Sequence, residues 1–497
     1  MKKLFLYILT VFALSSCYKD KGNYDYIDVN VVNISGIDSI YTVDYGSVFT
    51  LKPDLSFTLD ATKDTANYAY LWVASITNTG NTIDNDTLSY SHDLDARITL
   101  PSGQYTVIYR VTDKKTGISY SRRFLMAVVT SVYEGWVLLS EVNANSRLDM
   151  LSKGVDGYKP IYDVLGSIGA GLTLTGKPVD VKFARTTAAI TGHAVYVSTT
   201  DGTSRLDGET FKLKSPLQTD VFSTLPAGFY ADKLTQRASG TMYLHGNDNN
   251  MYYYMYTFNI YFGLPVNVMY GKSVPFKASR YVGYVDNSSG STDVHILYNE
   301  DEKRFVRHIY SLPANCTDMP AGTRFSFTTG KDLRFMETSR FNSGDTYAIL
   351  DSLHQKYYLA RFNVAATIAQ TYYEELLATD FAKAENIAIH PDLGYVFYNV
   401  GGKLYEYDVS TKATKLMIDY GQKSVSFLKC DGFMATTTVA AKAYYNKLQV
   451  GVYDPSLPAG SAGSFELYTV PPVNGNLVLS ESYTGFGKIK TVTYRER

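Results

Sequence analysis

The first residue equipped for chemistry is Cys17. It closes Leu14-Ser15-Ser16-Cys17, after a basic pair, Lys2 and Lys3, and an apolar run from Leu4 to Leu14. Basic, apolar, small, then cysteine is the order of a bacterial lipoprotein signal. Small side chains fit the narrow site of a signal peptidase, and the thiol is free to form a thioether with a diacylglyceryl group. The apolar run is too short to serve as a stable transmembrane anchor. The pattern predicts a signal peptide over 1–16, and a lipidated Cys17 with a polar tether over 17–26. Each buried methylene of an acyl chain adds about 0.8 kcal/mol, and two or more chains anchor a protein stably. Lys19-Asp20, just after the cysteine, is similar to the start of the acidic export signals of surface-exposed lipoproteins. The expected location is the outer membrane, lipid-anchored and facing the extracellular side.

Other reactive groups are scattered. The seven histidines, His92, His193, His245, His295, His308, His354 and His390, form no HExxH or HxH pair. They read as structural or surface residues, and the sequence calls for no metal, cofactor or catalytic residue. Asp84-Asn85-Asp86 and His245-Gly246-Asn247-Asp248-Asn249 offer hard oxygen ligands, but neither completes a calcium-binding loop, and both read as turns. Cys316 and Cys430 stand 114 positions apart, so both a single disulfide and two buried thiols stay open. A formal net charge of −1 gives no reason to expect nucleic acid as a partner.

The chain has 44 tyrosines. Most fit the pleated, half-buried positions of β-sheets. In Met251-Tyr252-Tyr253-Tyr254-Met255-Tyr256 a strand puts Tyr252, Tyr254 and Tyr256 on one face. Packing between sheets accounts for such a face, and so does an aromatic platform for a ligand; the three tyrosines are the candidate ligand-binding residues.

The elements that position these residues are strands. Segments around 27–34, 48–51, 68–74, 96–100, 104–113 and 119–129 alternate between turns, as in a small β-sandwich over 27–131. Asn81 to Asp86 reads as a loop within it. From Tyr133 a loose repeat begins, with apolar strands at 135–141, 194–198, 241–245, 293–298, 345–350, 393–400 and 447–454. Second strands follow at 147–151, 209–213, 251–258, 305–310, 356–364, 403–409 and 464–470. Roughly fifty residues per unit is the scale of a four-stranded blade, which predicts a β-propeller of about seven blades over 132–497. The best helical candidate is Ala365 to Ala378. The terminal strand is expected to complete the first blade, with Val492 to Tyr494 beside Gly135 to Leu139.

Two groups of residues carry a resemblance. Tyr70-Leu71-Trp72, Pro101-Ser102-Gly103-Gln104-Tyr105-Thr106-Val107 and Val111-Thr112-Asp113 look like a PKD-type immunoglobulin-like domain without its usual acidic-glycine turn. That resemblance makes Trp72 and Tyr105 core residues. The leader from Cys17 to Tyr26, Glu134-Gly135-Trp136 and the tail from Gly485 to Tyr494 resemble the PKD-like lipoproteins associated with SusC/SusD-type outer-membrane uptake systems. This implies a non-catalytic accessory lipoprotein that binds an oligopeptide or oligosaccharide nutrient or docks to the importer. Its partners would be a SusC-type TonB-dependent transporter and a SusD-type lipoprotein. A surface hydrolase or lyase on a propeller scaffold, and a purely structural module, are the alternatives.

Overall fold

A computed structural model describes residues 28–496, except 63, 78–82, 155–156, 187–191, 237–240, 256–261, 285–293, 310–314, 354–355, 365–366 and 431–442. The chain divides into two compact units, Met1–Val129 and Thr130–Arg497.

The first unit is built on a five-stranded sheet. Its strands run in the order Ile40–Asp44, Ser119–Val129, Gly103–Asp113, Tyr68–Thr77, Ile83–Ser89. Only the first pair is parallel. Two-stranded pairs, Val32–Ser35 with Asp54–Phe57 and Val48–Leu51 with Leu94–Arg97, complete it. Strict alternation along Gly103–Asp113 turns Tyr105, Val107, Tyr109 and Val111 into one core. Trp72 is fully buried there, with its ring 4.1 Å from that of Tyr109 and its Nε1–H donating to the Ser91 carbonyl at 2.9 Å. Tyr105 is also in the core, its hydroxyl donating to the Pro101 carbonyl at 2.8 Å. Of the stretch read as a loop, residues 81–82 lie outside the described residues and Ile83 to Asp86 begin the edge strand Ile83–Ser89. Its first five residues are exposed, so no apolar alternation marks it, and backbone pairing with Tyr68–Thr77 holds it.

The second unit is all-β and propeller-like. Among the described residues it holds seven consecutive antiparallel sheets. Six are four-stranded and the third, from Ala231 to Met255, shows three strands. The strand read as the start of each repeat lies second in its sheet, counted from the inner strand. Its residues are buried on both faces, as in Gly135–Val142 and Asp345–Ser352, which explains why these strands read as continuous apolar runs. The inner strand of the first sheet comes from the far end of the chain: Lys488–Arg495 pairs with Gly135–Val142, placing Trp136 opposite Tyr494 and Leu138 opposite Val492.

Two expectations fail. Residues 209–213 are not the third strand of the second sheet; Gly202–Asp207 is. Asp207 Oδ1 accepts the N–H groups of Glu209 and Thr210, both at 3.0 Å, and turns the chain there. The helical candidate is the edge strand Ala369–Glu375, paired with Lys356–Asn363. The alanines near its start favoured a helix, but pairing to a waiting sheet edge overrides so weak a preference. Among the described residues no helix is long and apolar enough to cross a membrane.

Candidate functional site: a charged central cavity

Successive sheets are tied to one another by polar side chains. Thr493 Oγ1 accepts the Phe183 N–H at 3.2 Å, linking the first sheet to the second. Asp180 accepts the Leu234 N–H at 2.9 Å, and Gln236 makes two bonds to the Arg185 backbone, at 2.7 and 2.8 Å. Arg280 donates to the Asp232 carbonyl at 2.9 Å and pairs with its carboxylate at 3.3 Å. Thr338 Oγ1 accepts the Tyr284 N–H at 2.9 Å. Arg334 donates to the Ala384 carbonyl at 2.5 Å, and Asn399 to that of Val425 at 3.2 Å. The circuit returns to the first sheet through Arg147, whose guanidinium donates to the Gly460 and Gly485 carbonyls at 2.9 and 3.1 Å.

The sheets enclose a cavity of about 540 Å³, to which each of the seven contributes wall residues from its inner strand or the segment leading into it. Six basic residues line it: Lys182, Lys233, Arg280, Arg334, Lys429 and Lys490. Three acids, Asp180, Glu337 and Glu385, also line it, an excess of three positive charges in a chain whose formal net charge is −1. Asp180 is committed to the Leu234 N–H and to Thr491 Oγ1 at 3.3 Å. Glu385 accepts from Asn399 at 3.1 Å.

Lys233 stands beside an aromatic ring. Its Nζ lies 6.0 Å from the centre of the Tyr281 ring, and among the described residues it makes no hydrogen bond or ion pair. Burial, then the nearby Arg280, hold its ammonium below the ordinary lysine range. Tyr281 and Phe335, rings 5.4 Å apart and edge-on, and Tyr284 supply aromatic wall. A pocket of this size, with charged groups and aromatic rings in one wall, suits a small polar ligand. Among the described residues no group of three or more His, Cys, Asp or Glu is placed to hold a metal ion.

The residues singled out from sequence lie elsewhere. Cys17 and Tyr256 fall outside the described residues. Tyr252 and Tyr254 are each 3% exposed and belong to one apolar cluster with Tyr196 and Phe262. The Tyr252 hydroxyl donates to Asp248 at 2.8 Å, and that of Tyr254 to the Thr186 carbonyl. Neither offers an open ring face, so packing between sheets is what this face does. Asp84 to Asp86 lie on the edge strand Ile83–Ser89, and His245 pairs with Asp232 at 3.0 Å. Cys316 and Cys430 are both buried, and no disulfide joins them.

Two histidines bear on stability. His308 is fully buried with Nδ1 2.6 Å from the Tyr243 hydroxyl, and burial lowers its pKa to about 4. His390, whose Nδ1 accepts the Leu393 N–H at 3.0 Å, is likewise lowered by burial to about 4. In the unfolded chain both titrate near the ordinary histidine value, so between about pH 6.5 and 4 the unfolded state binds more protons and stability falls as pH falls. The ceiling is roughly 3 kcal/mol for each. Glu406 works against them: burial raises its carboxyl to about 7, which favours the fold as pH falls from there to its ordinary value. Denaturant midpoints are therefore expected to be lower at pH 5 than at pH 7, and the difference is expected to grow in Glu406→Gln. Identical midpoints in both proteins would contradict this.

Comparison with known proteins places the amino-terminal third. The model of the PKD-like family matches residues 17–178. Over these residues the chain is similar to the PKD-like family. The match begins at Cys17, covers the described part of the PKD-like unit and ends where the second sheet of the following unit begins, at Pro178. No curated protein matches the chain. Among solved structures, a quinonprotein alcohol dehydrogenase-like protein from Bacteroides thetaiotaomicron is 10% identical, with 92% of this chain and 97% of that one covered and a TM-score of 0.42. A dihydro-haem d1 dehydrogenase is also 10% identical, over 86% of this chain and 75% of that one, with a TM-score of 0.38. A DUF4784 family protein from Bacteroides caccae is 10% identical, over 78% and 96%, with a TM-score of 0.27. Likenesses this distant carry no argument about activity.

Sequence reasoning missed the cavity. Lys182, Lys233 and Lys429 lie on strands that begin their sheets, one position before or after a buried apolar residue. The available signal was a basic residue on several of the strands that precede an apolar run. It is faint, because such a residue looks like any solvated face until the strands are brought to one cavity.

Proposed function

We propose that this protein is a surface-exposed, lipid-anchored accessory subunit of a SusC/SusD-type nutrient importer. It is non-catalytic and binds oligomeric nutrient, with its second unit a closed seven-bladed propeller. The observation that carries the reading is the family match beginning at Cys17, the residue that cleavage of the lipoprotein signal leaves at the amino terminus. The anchor explains the polar tether, and the propeller supplies a cavity whose wall is built for binding through charge and aromatic contact. Closure is supported by the terminal strand in the first sheet and by the polar links between successive sheets.

The test is co-purification from solubilised outer membranes, with a tag after Arg497 and partners identified by mass spectrometry. Recovery of a TonB-dependent transporter together with its lid lipoprotein is expected. Recovery of the protein alone, under conditions in which another transporter and its own lid lipoprotein stay together, would contradict the assignment.

A further inference from the structure

We propose that the central cavity binds an acidic oligosaccharide, a short chain of sugars bearing carboxylates. The inference deepens the nutrient-binding reading and rests on it only for the choice of sugars as ligands. Three features converge on the ligand class. The wall carries an excess of three positive charges within a near-neutral chain, so the charge is local to the cavity. Charges of one sign around a concave, low-dielectric wall focus the field and raise the local concentration of a counter-charged ligand.

The second feature is Lys233, half-buried in the wall without a hydrogen-bonding or ion-pair partner among the described residues. A desolvated ammonium is costly to leave unpaired, and an incoming carboxylate supplies the missing partner as a charge-assisted hydrogen bond. Lys490 is exposed on another inner strand, so a second carboxylate of the same ligand meets a cation that needs no rearrangement.

The third feature is aromatic. Tyr281, Tyr284 and Phe335 share the wall with the cations. A sugar ring has an apolar C–H face that lies against an aromatic ring and a rim of hydroxyls for polar neighbours. A sugar acid presents that face and a carboxylate on one rigid ring, matching a wall that offers both contacts within one small cavity. A flexible acidic peptide meets the cations but loses more conformational freedom on entering.

The experiment is titration calorimetry on the full chain in detergent with three probes: tri-galacturonic acid, its fully methyl-esterified form and tri-glutamate. The free acid is expected to bind, the ester at least roughly tenfold more weakly, and added salt to weaken the free acid. Lys233→Gln and Lys490→Glu are each expected to lower affinity for the acid by roughly tenfold. Lys490 is exposed and makes no described contact, so its variant tests the site even if the Lys233 variant fails to fold. Equal binding of acid and ester, no binding of the acid, or stronger binding of tri-glutamate than of the sugar would each overturn the proposal. The assay involves no transporter and no membrane, so failure here leaves the importer assignment standing, and a failed co-purification leaves the cavity result standing.

Discussion

Deleting residues 488–497 is expected to abolish cooperative folding of the second unit while leaving the first unit folded. The deleted segment is the inner strand of the first sheet, and it carries Ile489, Val492, Tyr494 and Arg495, all buried. Each apolar side chain contributes about 1.5–3 kcal/mol of burial. With the lost backbone ladder, the sum is comparable to the whole stability of a domain, about 5–15 kcal/mol. Trp136 loses its edge-on partner Tyr494, 4.8 Å away, and Phe183 loses the acceptor of its N–H. Arg495 adds a specific clamp. Its guanidinium is fully buried, donates to the Gly208 carbonyl in the second sheet through Nε at 2.7 Å, and lies 3.6 Å from Glu209. Arg495→Ala alone is expected to cost about 3–5 kcal/mol, the cost of breaking a buried pair from one side. Calorimetry checks both variants. A truncated chain that keeps its second-unit transition would contradict the role of the terminal strand.

Trp72→Ala is expected to destabilise the first unit by about 3–5 kcal/mol, the range for truncating a buried tryptophan. The ring is the largest fully buried side chain of that unit, and its loss opens a cavity beside Tyr109 and Phe124. The Ser91 carbonyl also loses its donor. The core of this unit contains only residues before Val129, so the unfolding transition of the second unit is expected to stay in place. A shift of both transitions, or of neither, would contradict this account of the core.

The strands with strong alternation or continuous apolar runs were legible in the sequence because their burial is regular. Gly103–Asp113 buries every second residue, and Asp345–Ser352 buries nearly all of its residues. The terminal strand was legible for the same reason, since Val492 to Tyr494 needed a sheet to enter. Edge strands were not. Ile83–Ser89 and Ala369–Glu375 are exposed or half-buried, so their pairing leaves little mark on residue type. The tyrosine run was ambiguous because an aromatic face reads identically whether it meets ligand or another sheet; only the buried positions of Tyr252 and Tyr254 decide it. The cavity was least legible, because its charges come from seven segments spread between Asp180 and Lys490.

We propose that the two units work outside the cell, tethered through Cys17. The most direct measurement combines metabolic labelling by a clickable palmitate analogue with protease shaving of whole cells. The account predicts that the wild-type chain is labelled, that Cys17→Ala is not, and that external protease removes the labelled chain from intact cells while a periplasmic control survives. A wild-type chain without label, or one that is labelled but protected until the outer membrane is broken, would contradict it.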